Sequence, residues 1–465
     1  MSDWMDAEQH ADRALEMYER GRWAEAEAEL RKAIAMNPDQ AEWHFNLGLT
    51  LEAAGRESDA LLCFSKAAEL MPDELDPLMA SGSLCSRLGR FEQAIEFFDR
   101  VIKLDPSMET AYANKIECHT RLNQHQEAET AFYLAQQALE EPGGHCLAAI
   151  GESLFLRRNF ERAEWCFREA LRLEPNLPRV RSRLASVFAS TNRQQRAAQL
   201  YLQELRDEPG NIDTLLEYAD LLRELGRLPE AGEKLRRVLE LEPANAYAHF
   251  QLGQIAYRTA KYEQAQIEFG LVLKLDPKFP QIRTSAADTL LKLEQREEAK
   301  AILAEELDLF RCQMQGEAPA SADVPEFDVP SMMRLGSLLL QVGDSKAAEE
   351  VFNRAAERAD AQNAIVTQRA EIYRQLALAR FRSGDRAGGA RASRRVLRLE
   401  PACIASFHNL ALAALQEDRL RVAAGWLARG LRVAPHDDGL RRLRMRLWLA
   451  AVRRMFARIG IHAAS

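Results

Sequence analysis

Along most of the chain apolar residues return at spacings of three and four, the period of a helix with one buried face. Strand-like alternation is nowhere sustained. The helical stretches are interrupted on a schedule. Prolines stand at 38, 72, 106, 142, 175, 209, 243, 277, 401 and 435, mostly 34 residues apart, and the gap after Pro277 equals three such periods plus 22 residues. Twelve residues before a proline lies a small residue (Ala26, Ala60, Ala94, Ala163, Ala197, Ala231, Ala265, Ala423). Eight before lies a bulky one (Leu30, Phe64, Phe98, Phe167, Tyr201, Leu235, Phe269, Leu427). Gly or Ala falls 24 before, at Gly48, Gly82, Gly151, Ala185, Ala219, Gly253, Ala377 and Ala411. Glycine falls 17 before, at Gly21, Gly55, Gly89, Gly226 and Gly384. These positions predict a repeated helical hairpin. Small residues let two antiparallel helices approach, and the bulky residue fills the space beyond. Glycine ends the first helix in a left-handed conformation, and proline closes the second because it cannot continue the hydrogen-bond ladder.

This spacing resembles that of the tetratricopeptide repeat family, and residues 41–74 carry the family pattern almost fully, with Leu47, Gly48, Gly55, Ala60, Phe64, Ala67 and Pro72. The resemblance implies an all-α fold, an α-solenoid superhelix of about twelve hairpins ending in a C-terminal amphipathic capping helix. The units near 109, 280 and 329 depart most from the pattern, so a local bend or looser packing is expected there. The expected organisation is an acidic N-terminal array over 1–312 with about nine repeats and a linker over 313–331. About three further repeats over 332–437 and a basic helix with its tail over 438–465 complete it.

The segment between Cys312 and Ser331 contains Pro319, Pro325 and Pro330 and no basic residue, so it cannot be one helix. It reads either as an exposed acidic linker or, through Val324-Pro325-Glu326-Phe327, as a pseudo-ligand for the array's own groove. Residues 438–460 read as a basic amphipathic helix. Leu440, Leu443, Leu447, Val452, Met455, Phe456 and Ile459 make its stripe, and Trp448 stands near the boundary. Arg441, Arg442, Arg444, Arg446, Arg453, Arg454 and Arg458 carry its charge. The helix either caps the last repeat or offers a face to acidic lipid or nucleic acid.

Charge sharpens that choice. The net charge is −8, yet residues 367–465 hold 20 Arg, no Lys and 7 acids, a balance of +13 against −21 for the rest. The two parts therefore attract each other within or between chains. The start of the sequence shows no basic leader followed by an apolar run, and no apolar stretch reaches about 20 residues, so a cytoplasmic location is expected. Seven widely spaced cysteines without a Cys-x-x-Cys pair agree with it. Cys118-His119 alone does not complete a zinc site.

In this family the first helix of each unit usually lines the concave groove, which makes exposed positions on those helices the candidate contacts. Tyr247, Phe250, Gln254 and Tyr257 share one helix face and form an aromatic set. It reads as a row of binding anchors or as packing between units. Asp213, Glu217, Asp220 and Glu224 form an acidic set, suited to a basic peptide or simply solvated. Asn114, Glu117 and Arg121 form a polar set. The Lys–Asn clamp by which the co-chaperone branch holds a terminal carboxylate is absent from Ala11/Leu15, Phe45/Leu49, Met79/Ser83 and Phe250/Gln254. The asparagine ladder of the glycosyltransferase arrays survives only at Asn46, Asn114 and Asn409.

No phosphate loop, G-x-S-x-G elbow or H-E-x-x-H motif occurs. Gly143-Gly144 reads as a hairpin loop and Gly388-Gly389 as a close helix contact. The expected protein is a non-catalytic interaction scaffold or adaptor holding protein or peptide segments, without cofactor or metal. Contact of the Arg-rich end with nucleic acid or anionic membrane, and self-association, are the alternatives.

Overall fold

The computed structural model of the chain describes residues 2–139, 143–315 and 327–458. Twenty-five helices and no strand are found among the described residues, in two compact units over 1–234 and 235–465. The first unit opens with α1 (Ser2–Glu19), α2 (Trp23–Met36), α3 (Ala41–Ala53), α4 (Glu57–Leu70), α5 (Leu75–Arg87) and α6 (Phe91–Leu104). It continues with α7 (Glu109–Arg121), α8 (His125–Ala138), α9 (Gly144–Leu156), α10 (Phe160–Leu173), α11 (Val180–Ser190), α12 (Gln194–Asp207) and α13 (Ile212–Glu224). The boundary falls in α14 (Leu228–Leu241). The second unit holds α15 (Ala246–Arg258), α16 (Tyr262–Leu275), α17 (Ile282–Lys292), α18 (Arg296–Gln315), α19 (Val329–Val342) and α20 (Ser345–Ala361). Beyond these come α21 (Val366–Ser383), α22 (Arg386–Leu399), α23 (Ile404–Gln416), α24 (Leu420–Val433) and α25 (Asp438–Arg458). Odd-numbered helices up to α23 open hairpins and even-numbered ones close them.

Each marker residue does local work. The residue before the closing proline is extended, as at Asn37 (φ −141°, ψ 91°), Asp105 (φ −132°, ψ 93°) and Asp276 (φ −140°, ψ 90°), which the proline ring demands of its neighbour. Its N–H still closes the helix, at 2.8 Å from the Val101 carbonyl for Asp105. Between the two helices of a hairpin one residue is left-handed, at φ 76° for Gly55 and 73° for Gly89. Where glycine is missing, Asn123, Arg158, Asn192, Ala260, Glu294 and Asp418 adopt the same conformation, at φ 57–62°.

Side-chain size sets the closeness of the pair. All eight alanines of the repeat are fully buried, and so is the bulky residue four positions later. A Cβ on Gly48 would stand 2.5 Å from the Phe64 ring, and Gly82/Phe98, Gly151/Phe167, Gly253/Phe269 and Gly336/Phe352 repeat this at 2.5–2.8 Å. Glycine is thus required where phenylalanine faces it. Alanine in that slot, at Ala287 and Ala411, meets leucine instead, at Leu303 and Leu427. Ala185, opposite Tyr201, and Ala377, opposite Ser393, are exceptions.

Three departures matter. First, α9 begins against the start of α7: the Cys146 N–H donates to Glu109 Oε1 at 2.9 Å. A Cβ on Gly143 would strike that carboxylate, so Gly143-Gly144 starts α9 rather than forming a simple loop. Second, α11 and α17 are only 11 residues long. Apart from α9, a helix that follows a closing proline elsewhere begins three residues after it. Here that position is a second proline, Pro178 or Pro280, the next residue is left-handed (Arg179, φ 66°; Gln281, φ 62°), and the helix starts after it. Third, α18 extends to Gln315 and α19 starts at Val329, so helices cover both ends of the segment read as linker. Gly388 and Gly389 lie inside α22, where a Cβ on Gly389 would stand 2.9 Å from the Phe381 ring.

Candidate functional site

The shortened start of α11 adjoins a cavity of about 320 Å³ between α7, α9 and α11. Ala113, Ala148, Ala149 and Val180 supply apolar lining, and the polar set read from the sequence, Asn114, Glu117 and Arg121, borders it together with Glu152, Arg179 and Arg183. Arg121 pairs with Glu117 at 3.6 Å along one helix.

Three of the four residues of the acidic set already have arginine partners. Arg179 is ion-paired with Asp213. Arg183 reaches Glu217 at 3.0 Å and Glu152 at 3.2 Å. Asp220 accepts from Arg223 at 3.1 Å, while Glu224 is exposed. Glu217 also accepts from Ser186 at 3.1 Å, and Ser186 meets the Tyr201 hydroxyl at 2.9 Å. Burial raises the Glu217 pKa above the ordinary carboxylate value, and Arg183 partly offsets it. Asp213 and Glu217 therefore belong to a cross-repeat network, each meeting an arginine one 34-residue period earlier, while Asp220 is paired along its own helix and Glu224 faces solvent.

In the second unit the aromatic set divides. Phe250 is half-buried between Phe269 and Phe279, at centroid distances of 5.7 and 4.8 Å. The Tyr257 hydroxyl donates to Asp288 at 2.8 Å, and Gln254 Nε2 donates to Ser285 at 3.4 Å. Tyr247 is half-buried. Arg334 of α19 meets the same Ser285 at 3.2 Å, so side chains of α15, α17 and α19 are bonded in a line. The second shortened helix, α17, borders a larger cavity of about 530 Å³. Neither cavity was read from the sequence. Its signal was a second proline three residues after the first, in Pro175-Asn176-Leu177-Pro178 and Pro277-Lys278-Phe279-Pro280.

Of the proposed pseudo-ligand, Val324, Pro325 and Glu326 lie outside the described residues. Phe327 is buried edge-on against Phe310, at 5.5 Å. Its N–H donates to Gln313 and its carbonyl accepts from Arg358.

On α25, Leu440 and Leu443 are buried with Phe407, Ala411 and Leu427, and Leu447 packs against them. Met445, Trp448, Leu449 and Met455 are exposed instead. Arg442, Arg444, Arg446 and Arg453 are exposed as well. Arg441 bonds the Pro435 carbonyl and His436, and Arg454 pairs with Asp418 at 3.3 Å. The side chains of Phe456 and Arg458, and Ile459, lie outside the described set. No helix among the described residues is long and apolar enough to cross a membrane.

Models of the tetratricopeptide repeat match residues 11–74, 75–108, 149–212, 219–259, 246–279 and 329–362, together more than half of the chain. Over 145 residues the chain is 28% identical to the type IV pilus assembly protein PilF of Pseudomonas aeruginosa, covering 31% of this chain and 58% of that protein. Over 131 residues it is 31% identical to human FK506-binding protein-like, covering 26% and 37%. The chain thus spans less than two thirds of the length of either relative. The solved structure of yeast Tom70 aligns over 97% of this chain and 96% of that one, at 14% identity and a TM-score of 0.38.

Proposed function

The chain belongs to the tetratricopeptide repeat family, and we propose that it is a cytoplasmic, non-catalytic scaffold that holds an extended segment of a partner protein along its first helices. The observation that supports this most is the α7–α9–α11 cavity. Alanines at 113, 148 and 149 leave room for one partner side chain, and Asn114 beside them offers both a donor and an acceptor to a peptide backbone. Arg183, held between Glu152 and Glu217, keeps the wall fixed before a ligand arrives, which lowers the ordering cost of binding.

Capture of tagged protein from nuclease-treated native lysate, followed by mass spectrometry, tests this reading. Ala149→Trp, which fills the cavity, and Asn114→Ala should both lose the partner that wild type retains. Trp165→Ala, on the exposed side of α10, should keep it. Retention of that partner by a folded Ala149→Trp protein would sink the proposal.

The exposed Met445, Trp448 and Leu449, interleaved with the exposed Arg442, Arg444, Arg446 and Arg453 of α25, favour a second reading, contact with an anionic membrane surface. Phosphatidylserine vesicles should then bind wild type in a salt-sensitive way and lose Trp448→Glu. Equal binding to phosphatidylcholine vesicles would remove this reading, and binding of RNA alone would replace it with nucleic acid.

A further inference from the structure

The cavity bordered by α17 in the second unit adjoins two features that depart from the repeat there, the shortened start of α17 and the segment before α19. The shortened start of α17 supplies Pro277, Phe279 and Pro280, and α18 supplies Leu309 and Glu306. Phe327, just before α19, completes the apolar lining. At about 530 Å³ the space lies within the roughly 300–1,000 Å³ of ligand pockets.

Charge decides what fits. Lys278, Arg283, Arg334, Glu306 and Asp328 are the charged lining residues. Arg283 faces Glu306 at 3.7 Å and Glu305 at 3.5 Å. Asp328 is occupied by the Ser331 N–H and hydroxyl. Burial raises the pKa of Glu306, opposed by Arg283. Bonds from neutral donors leave the Asp328 charge in place, so the lining carries three cations against two carboxylates, and two of the cations stand outside an ion pair. Arg334 bonds only the neutral Gln281 and Ser285, at 3.4 and 3.2 Å, and neither it nor Lys278 has a carboxylate at ion-pair distance among the described residues. An apolar surface beside a net positive lining selects a ligand that brings both an apolar body and a negative charge.

We propose that this cavity is a second peptide site, taking a partner segment in which a large apolar side chain stands next to carboxylates. Arg334 belongs both to its border and, through Ser285, to the line of bonded side chains on α15, α17 and α19. A segment lying on that line passes the cavity. The inference rests on the peptide-binding role proposed above and adds the chemistry of the ligand.

Fluorescence anisotropy on the full chain tests it with three fluorescein-labelled peptides. They are Gly-Asp-Glu-Phe-Asp-Gly, its lysine counterpart Gly-Lys-Lys-Phe-Lys-Gly, and Gly-Asp-Glu-Gly-Asp-Gly without the ring. The first should bind, and the other two should bind about tenfold more weakly. The double variant Lys278→Glu/Arg334→Glu should also weaken the first peptide about tenfold, since each reversal turns an attraction into a repulsion. Lys278→Glu alone, at an exposed residue, should weaken it less and report on a protein whose folding is untouched. Asn114→Ala should leave this affinity as it is. Equal binding of acidic and lysine peptides, or a Kd within about twofold of wild type in the double variant, overturns the proposal. Loss through Asn114→Ala instead also overturns it. The lysate capture with Ala149→Trp fails or succeeds independently, so the two readings are separable.

Discussion

Replacing Gly48 by alanine isolates the contact on which the repeat's close helix pair depends. The added Cβ would stand 2.5 Å from the Phe64 ring, where ordinary contact begins at 3.4 Å, so ring or helix must yield by about 0.9 Å. Phe64 is fully buried and its ring already lies against Phe45 at 5.4 Å, which leaves little room to retreat. Overpacking of this kind costs about 1–3 kcal/mol, while alanine returns about 1 kcal/mol through its better helix propensity. The net effect on stability is therefore small and uninformative alone. A double-mutant cycle with Phe64→Leu removes the ambiguity, because the propensity term occurs in both Gly48→Ala arms and cancels. The predicted coupling equals the overpacking term, about 1–3 kcal/mol in favour of the double variant. Since a repeat array does not unfold as one unit, the readout is hydrogen exchange of the α3 and α4 amides together with urea denaturation. Additivity within about 0.5 kcal/mol would refute the reasoning.

Ala260, exposed and left-handed at φ 58°, should become more stable as glycine by about 0.5–1 kcal/mol, after allowing for the freer unfolded chain; a thermal melt of Ala260→Gly checks this against a loss for Gly55→Ala. Asp360 accepts from Arg369 and Tyr373 at 2.6 Å each. Burial opposes its ionisation, but these bonds outweigh it and hold the pKa below the ordinary value. Its contribution is thus present above about pH 4 and lost as pH falls through the lower folded value. Asp360→Asn should cost about 1–3 kcal/mol at pH 7, with the gap to wild type closing in acid. Burial pushes the thiols of Cys118 and Cys166 up to about 11, so iodoacetamide at pH 8 should modify exposed Cys312 first. Mass spectrometry finding Cys118 labelled as fast would contradict that packing.

The hairpin was legible because each marker acts within one repeat. Ala60, Phe64 and Pro72 stand at spacings that burial, size and backbone geometry impose locally, and the structure places them as those demands require. Contacts across repeats were less legible. Reading along α13 showed Asp213 and Glu217 as an acidic face, whereas Arg179 and Arg183, 34 residues earlier, neutralise them. Helical periodicity records which face is buried, not which side chain of the next helix meets it. Phe250 illustrates the same limit: its spacing matches an anchor row, and its ring packs against Phe269 and Phe279. The cavities escaped notice because Pro178 and Pro280 break the period only by shortening a helix start, and hydrophobic pattern carries no mark of that.

The most direct test of the binding role is photo-crosslinking with benzoylphenylalanine placed in the full chain in native lysate. At position 117, which borders the α7–α9–α11 cavity, it should form an adduct with a discrete protein partner. At position 165, on the exposed side of α10, it should form none with that partner. Adducts only from position 165, or none from position 117 in folded protein, would contradict the account.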